Sequence, residues 1–555
     1  MRKTVLVGLN ARYIHVNSAI RSLQLSAQRY AEELGVPAGA IVRQEYTIQQ
    51  GTEAIYYSIL REQPDIVAFS VYIWNVSMVR DLCRDLRLAQ PDCILILGGP
   101  EVSYGTEHTG ISEYDYVIEG EGERAFYALL ACLQQPDFEP PARWRFEVTG
   151  KRVRCAPMPN LDELPFIYEE DEPGLKHRIL YYEASRGCPF RCGYCLSAPE
   201  KGVRQRSLPL VLAELQQLTD RGIPLVKFVD RTFNCDPRRS QAILEWIGTL
   251  PAAVPTCFHL EVEADHLTPE LIRTMTRLPR GRIQVEIGVQ STNPETLAAC
   301  HRNPSVARCL ENTKRLIEAG NMKVHTDLIA GLPYEGLGRF RQSFTEVYAL
   351  GAHQLQLGFL KRLQGAPLAA EPAEYGYRFS PHPPYELLGS RWIGPEELWE
   401  LKQVEAVLER YGNSGHFRHF LAELEKEYAD SYSMWKDLAA FYHSEGLIFA
   451  SLGAMETYNL AVRFAQTKGR AQQLKEALLL DYYGFTASDH LPLGLEEIGR
   501  RPENSRTLAA ELLRRCNDRS RRYMIRFINS RPIQYDYTEP DPVTGEYTKR
   551  FVEFG

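Results

Sequence analysis

The sequence predicts an α/β protein in three parts: a parallel sheet covered on both faces, a partial (β/α)6 barrel, and a mostly helical C-terminal domain. Three observations carry this. Continuous apolar runs alternate with helical spacing over residues 1–135. The alternation resumes over 179–368, with six strand–helix units in about 190 residues. Beyond 375, Glu, Leu, Lys and Tyr dominate in helical patterns. The expected boundaries are a first domain at 1–140, a linker at 141–178, the barrel at 179–370 and the helical domain at 371–555. A chain of 555 residues with 44% hydrophobic and 24% charged residues supports packed cores and excludes global disorder. Its net charge of −7 argues against a whole-chain polyanion binder.

In the first part, TVLVGLN (4–10), DIVAFSVY (65–72), CILILGG (93–99) and YVIEGEGE (116–123) read as strands. Helical spacing fills 17–34, 51–62 and 75–90. Fully apolar strands between helices imply a parallel sheet buried on both sides. The strand ends feed loops carrying Asn10, Ser70, Gly98, Gly99, Gly120 and Gly122, where open parallel sheets bind ligands. The N-terminus begins like a signal peptide, but its apolar run stops at Asn10 and Arg12 with no cleavage signature. A buried strand explains it better. No run of eighteen apolar residues occurs, so no membrane span is expected.

Residues 136–178 are rich in Pro and acids and read as a linker. Barrel strands are expected at 179–185, 225–230, 256–263, 282–290, 323–331 and 355–361. Helices are expected at 208–221, 237–249, 269–278, 304–319 and 338–350. The tail reads as a hairpin around DPVTGE. Nine arginines crowd together between Arg500 and Arg526: Arg500, Arg501, Arg506, Arg514, Arg515, Arg519, Arg521, Arg522 and Arg526. A solvated helical face is the plain explanation, and a phosphate- or RNA-binding surface the sharper one.

Of twelve cysteines, nine are scattered and suit core packing. The other three, Cys188, Cys192 and Cys195, lie in YYEASRGCPFRCGYCLS, directly after the first barrel strand. Three thiolates on one short loop can hold three corners of a 4Fe-4S cluster, leaving one iron open to a small-molecule ligand. Gly187, Pro189 and Gly193 permit a tight loop. Structural zinc and a redox dithiol are the alternatives, but zinc calls for a fourth Cys or His nearby, and none follows Cys195 for some distance.

This segment resembles the radical S-adenosylmethionine (SAM) enzymes, and the likeness extends over about 179–368. It implies that the open iron chelates SAM and that Tyr194 fills the aromatic position before the third cysteine. VKFVDRTFN takes the place of a second-strand motif near the SAM amino group, with Asp230 as a hydrogen-bond acceptor. HLEVEAD places Glu261 and Glu263 on one strand face, toward ribose or substrate, with a buried salt bridge as the alternative. VEIGVQSTNPETL and DLIAGLPYE resemble motifs of the methylthiotransferase-like subgroup, which set Gln290, Gly331 and Pro333 beside the adenosine. A plain strand-ending turn is the alternative for Gly331.

NARYIHVNSAIRSL, DIVAFSVYIWN, ILILGGPEVSY and VIEGEGERAF together resemble the Rossmann-like cobalamin-binding domain that precedes many radical SAM enzymes. The resemblance implies that Ser70 meets the nucleotide base and that Gly98 and Gly99 let the nucleotide tail pass. The Asp-x-His-x-x-Gly loop of the general cobalamin fold is missing, and His15 reads as a loop or surface histidine rather than a cobalt ligand. The last 180 residues resemble an uncharacterised C-terminal domain of such proteins.

The resemblance implies 4Fe-4S, SAM and cobalamin as cofactors and reductive cleavage of SAM. A radical on an unactivated carbon of an unidentified substrate would then receive a methyl group from cobalamin. It further implies an electron donor such as flavodoxin or ferredoxin and an oxygen-sensitive cytoplasmic protein. Two other readings stand beside it: a cobalamin-assisted cyclase or rearrangement enzyme without net methylation, and a cobalamin- or RNA-binding regulatory protein with a relic cluster.

Overall fold

Each apolar run of the first 120 residues sends successive side chains to opposite faces of one sheet. In the computed structural model, β1 (Lys3–Asn10) buries Val5, Val7 and Leu9 on one face and Leu6 on the other. Both faces are apolar, which is why alternation is absent from the sequence. The structure describes residues 1–551 apart from 170, 171, 173, 200, 201, 303, 371, 372 and 502–522. It divides into two compact units, one of 1–261, 298–302 and 360–390, the other of 262–297, 303–359 and 391–555.

The first unit opens with a seven-stranded sheet. With β2 (Ala40–Thr47), β3 (Ile66–Ser70), β4 (Ile94–Gly98), β5 (Tyr116–Ile118), β6 (Glu147–Thr149) and β7 (Arg152–Arg154), the order is β2-β1-β3-β4-β5-β7-β6. All neighbours are parallel except the β6–β7 hairpin. Helices α2 (Thr52–Arg61) and α3 (Val76–Ala89) supply Ile55, Ile59, Val79 and Leu82 to one core. Helices α1 (Ser18–Leu34) and α4 (Glu123–Gln134) supply Ile20, Ala27, Ala125 and Phe126 to the other. The chain reverses direction across the sheet between β1 and β3, so the carboxyl ends of these strands flank a crevice.

Two features differ from expectation. Strand β2 carries Arg43, Gln44 and Glu45 on a half-buried edge, so it shows no apolar run. The stretch expected as a linker adds β6 and β7 to the far edge of the sheet. Trp144 and Val153 from it pack into the α1–α4 core, but a three-residue strand with one inward side chain leaves no periodic signal.

The barrel strands of this unit are β8 (Leu180–Tyr182), β11 (Leu225–Phe228) and β12 (Cys257–Glu261), parallel in the order β8-β11-β12. Between β8 and β11 lie an antiparallel pair, β9 (Ser185–Gly187) with β10 (Val203–Gln205), and helix α5 (Leu208–Asp220); α6 (Pro237–Thr249) separates β11 from β12.

The second unit holds β13 (Ile283–Gln290), β14 (Lys323–Ala330) and β15 (Gln354–Phe359), again parallel and in that order. Helices Pro269–Arg277, Val306–Ala319 and Leu337–Tyr348 accompany them. Five further helices follow from Pro395–Val407 to Ala471–Phe485, then an antiparallel sheet of Tyr523–Ile528, Arg531–Pro540 and Tyr547–Phe551. The DPVTGE turn closes the expected hairpin: the Asp541 carboxylate accepts from Val543 and Thr544 N–H. Six arginines of the expected basic cluster (Arg506, Arg514, Arg515, Arg519, Arg521 and Arg522) lie outside the described residues. Arg526 does not join a surface patch. It is buried, bonded to Asp489 and Ala487 O, with its guanidinium over the Tyr483 ring. Arg501 pairs with the same Asp489 at 2.6 Å.

The adjacent glycines after β4 differ physically. Gly99 has φ +111°, and a Cβ there would lie 2.5 Å from Val71 O; a Cβ on Gly98 would meet nothing nearer than Ile118 at 3.9 Å. Gly99→Ala is therefore expected to lower stability by about 2 kcal/mol, and Gly98→Ala to leave it within about 0.5 kcal/mol, in denaturant titrations of the two variants.

Candidate active site

A cavity of about 300 Å³ opens in the first unit at the carboxyl ends of β3, β4 and β5. Ser70, Gly98 and Gly99 all line it, so the three residues singled out in this domain meet at one place. Ser70 Oγ accepts from Asn17 Nδ2 at 3.1 Å, while Asn17 Oδ1 caps α1 by accepting from Ile20 N–H at 3.2 Å. Gly98 leaves open space where any side chain would protrude into the cavity. Tyr72 also lines it and stacks on Trp74, rings 4.3 Å apart and 7° from parallel. His15, on the loop after β1, has Nδ1 2.6 Å from the Tyr181 hydroxyl. Burial, then Arg12 and Lys227, hold its pKa below the ordinary imidazole value.

The cysteine loop begins where β9 ends and returns to β10, so an antiparallel stem with Gly187 opposite Val203 closes it. Gly187 has φ +94°, and a Cβ there would collide with Gly202 O. Farther out, Gly193 N–H donates to Cys300 O and Leu368 N–H donates to Gly193 O, both at 2.8 Å. Arg302 Nη1 donates to the Tyr194 hydroxyl at 2.9 Å. Cys188, Cys192 and Cys195 are half-buried and in no disulfide. Cys195 Sγ accepts from Ser197 N–H at 3.4 Å, and Cys188 Sγ lies 3.5 Å from Thr232 Oγ1.

Among the described residues no three His, Cys, Asp or Glu side chains converge tightly enough to hold a single metal ion. A lone zinc needs such convergence, whereas a four-iron cluster takes each thiolate on a different iron. The donor set and its spread along the loop thus suit the cluster.

Asp230, just past β11, is buried beneath the stem. Its oxygens accept from Ala184 N–H at 2.9 Å and Ser185 Oγ at 2.5 Å. Burial pushes its carboxyl up to about 6 against these hydrogen bonds. Glu261 ends β12 with Oε1 3.7 Å from Lys227 Nζ. Glu263 does not share that strand. The strand stops at Glu261, and Glu263 heads the one-turn helix Ala264–His266, so the expected two-residue alternation is cut short.

In the second unit, Gln290 ends β13 at a bulge, with φ +68° and its Oε1 buried without a hydrogen-bond partner. A strained backbone presenting an unsatisfied buried acceptor suits a ligand position. Gly331 (φ +94°) opens the turn that holds Pro333 and Tyr334 (φ +59°). Beyond it the buried Glu335 accepts from Ser291 Oγ at 2.7 Å and Ser343 Oγ at 2.8 Å. The loop after Gln290 is thereby fastened to the turn after Gly331.

Two residues escaped the sequence analysis. Glu335 is one, although PYE after a strand end marked its place. Arg186, two residues before Cys188, is the other. Its guanidinium reaches Glu123 at 2.6 Å, Glu121 at 2.7 Å and Glu183 at 2.9 Å. Glu121 and Glu123 come from the EGEGE run and line the cavity. Burial works against the Glu123 carboxylate, yet Arg186 and Ser22 hold its pKa below the ordinary value. One guanidinium thus joins the cavity wall to the stem of the cysteine loop.

Three family profiles match the chain: "B12 binding domain" over residues 29–130, "Radical SAM superfamily" over 182–347, and "Protein of unknown function (DUF4080)" over 373–539. The chain thus carries a B12 binding domain followed by a radical SAM domain, the combination found in cobalamin-dependent radical SAM methyltransferases. The cofactors of this family are a 4Fe-4S cluster, SAM and cobalamin. This radical SAM protein is 25% identical over 356 residues to the cobalamin-dependent radical SAM methyltransferase TokK of Streptomyces tokunonensis, covering 58% of this chain and 50% of TokK. It is 24% identical over 421 residues to the 2-(S-pantetheinyl)-carbapenam-3-carboxylate methyltransferase of Streptantibioticus cattleyicolor, covering 68% and 58% of the two chains. It spans between half and three-fifths of the length of these relatives. The structure of TsrM from Kitasatospora setae with cobalamin and a [4Fe-4S] cluster shares the fold, with a TM-score of 0.53 at 18% identity, over 67% of this chain and 75% of that one. Members of the family require a reductant. Among the described residues no helix of this radical SAM protein is long and apolar enough to cross a membrane.

Replacing Arg186 with Met leaves Glu123 buried without a countercharge, and is expected to lower stability by about 3 kcal/mol and to reduce iron retention after anoxic reconstitution, read by denaturant titration and iron analysis. Asp230 sets a pH dependence. An acid whose pKa rises from 3.8 to about 6 on folding binds its proton more tightly in the folded chain. The contribution of Asp230 to stability is then greatest below about pH 4 and falls by up to about 3 kcal/mol as pH rises through 6. Thermal unfolding between pH 4 and 7 is expected to show that decline as a difference between the parent chain and Asp230→Asn, the parent losing stability relative to the variant as pH rises.

Proposed function

We propose that this protein is a cobalamin-dependent radical SAM methyltransferase acting on an unactivated carbon. The supporting observation is the Arg186 junction: it fastens a glycine-walled cavity, placed where a cobalamin domain receives its nucleotide, to the stem of a three-cysteine loop. Cys188, Cys192 and Cys195 hold the cluster. Tyr194 and Asp230 brace the loop. Gln290, Gly331 and Pro333 border the adenosine of SAM, and Glu261 faces its ribose or the substrate. Ser70, Gly98 and Gly99 would receive the cobalamin nucleotide. The chemistry supplied at these sites would be reductive cleavage of SAM, hydrogen-atom abstraction and methyl transfer. The protein's part is to position them and keep water from the reacting carbon. A flavodoxin or ferredoxin supplies the electron, and the oxygen-sensitive cluster places the protein in the cytoplasm.

Anoxically reconstituted protein is expected to bind iron, sulfide and cobalamin and to release 5′-deoxyadenosine when reduced with SAM. With methyl-deuterated SAM and cell extract, mass spectrometry is expected to find a product carrying the label. Deoxyadenosine without label would move the assignment to a cyclase or rearrangement enzyme. Iron-free protein, or cleavage that survives replacement of all three cysteines by alanine, would overturn it.

A further inference from the structure

A second cavity, of about 390 Å³, lies in the second unit where β15 begins, beside the segment 408–425. Most polar side chains of its wall are already committed. Gln354 Nε2 donates to Asn413 O at 3.1 Å. Asn413 pairs with Leu355 N–H and Leu355 O at 2.9 and 3.0 Å. Glu425 is engaged by the Tyr348 hydroxyl. Two donors remain. The Arg418 guanidinium lines the cavity and makes no ion pair or hydrogen bond among the described residues. The acids in its field are bound to other groups: Glu546 to Lys549, Asp481 to His419 and Asp541 to Arg280. Burial pulls its pKa below the ordinary guanidinium value. The second donor is His353, whose Nδ1 accepts from Val324 N–H at 3.2 Å. Burial, then Arg418, Lys323 and Arg280, push its pKa down to about 4. The ring is therefore neutral, with its one proton on Nε2.

We propose that this cavity binds a small organic oxyanion, a carboxylate or a phosphate ester, through Arg418 and His353. A half-buried cation without a partner costs stability, and an anion that enters beside it removes the cost. A planar guanidinium fork suits a carboxylate or phosphate in particular. Lys323 and Arg280 add to the positive field around His353. The wall also contains part of a π-helical turn, Leu408–Asn413, a conformation found mostly at functional sites. Glu425 stands seven residues beyond Arg418, about 10 Å along a helical course, which leaves room for one anionic group at the Arg418 end. The site is separate from the turns at Gln290 and Gly331. Those turns follow the carboxyl ends of β13 and β14, and β14 alone runs about 25 Å from Lys323 to Ala330.

The test is calorimetric titration of the full reconstituted chain with inorganic phosphate and, separately, with butyrate, at an ionic strength held constant with chloride. Saturable binding of at least one is expected, and the arm that binds more tightly tells a phosphate site from a carboxylate site. Arg418→Met is expected to weaken that binding at least about tenfold. Without anion it is expected to melt no lower than the parent, because it loses an unpaired cation. Arg418→Lys, which keeps the charge and loses the fork, is expected to bind between the two and serves if the Met variant does not fold. Binding of neither anion, or equal binding in parent and variants, overturns the proposal. So does an Arg418→Met chain that melts well below the parent without anion, since the guanidinium would then belong to the fold. The site touches none of the residues assigned to cofactors, so its failure leaves the methyltransferase reading intact.

Discussion

The structure turns on one cation. Arg186 sits between Glu121 and Glu123 at the entry to α4 and Glu183, which precedes its own strand. Neither the guanidinium nor the carboxylates are well solvated there, so each is tolerable only in the presence of the others. Such a cluster adds little net stability, but it fixes geometry, because a fork of planar donors accepts few arrangements of carboxylates. Arg204 repeats the motif from the opposite strand of the stem, donating to Glu121. Both strands of the hairpin are thus tied to the same acidic run, and the cysteine loop inherits its position from the first domain.

Two strand-end turns of the second unit share one construction: past β13 and β14 the backbone takes positive φ at Gln290 and Gly331, and the buried Glu335 ties the two turns together. In the first unit Asn17 braces Ser70 at the end of β3, and Asp230 braces Ser185 at the start of β9. The polar atoms left unpaired near these turns, Gln290 Oε1 among them, are the places where ligand atoms would complete the pattern.

Much of this was legible in the sequence for a physical reason. Strands buried on both faces are apolar throughout, so β1, β3, β4 and the barrel strands announced themselves, and helices of a dozen residues repeat their apolar spacing often enough to be read. The cysteine trio was legible because thiolate chemistry needs those residues and few others. Strand β2, the β6–β7 edge and β10 were not, since short or half-exposed strands carry no period. Arg186 was equally opaque. A charged residue in a loop looks solvated until its partners, sixty residues upstream, are placed around it. Glu263 misled for the converse reason: alternation is evidence of a shared face only while the strand lasts.

The antiparallel stem beneath the cysteine loop has a further consequence. Because Ser185–Gly187 pair with Val203–Gln205, and Cys300 and Leu368 clasp the loop from the side, the loop is closed by backbone hydrogen bonds that involve no thiol. The closure of this loop is thus built into the main chain, unlike that of a zinc finger, whose fold waits on its metal.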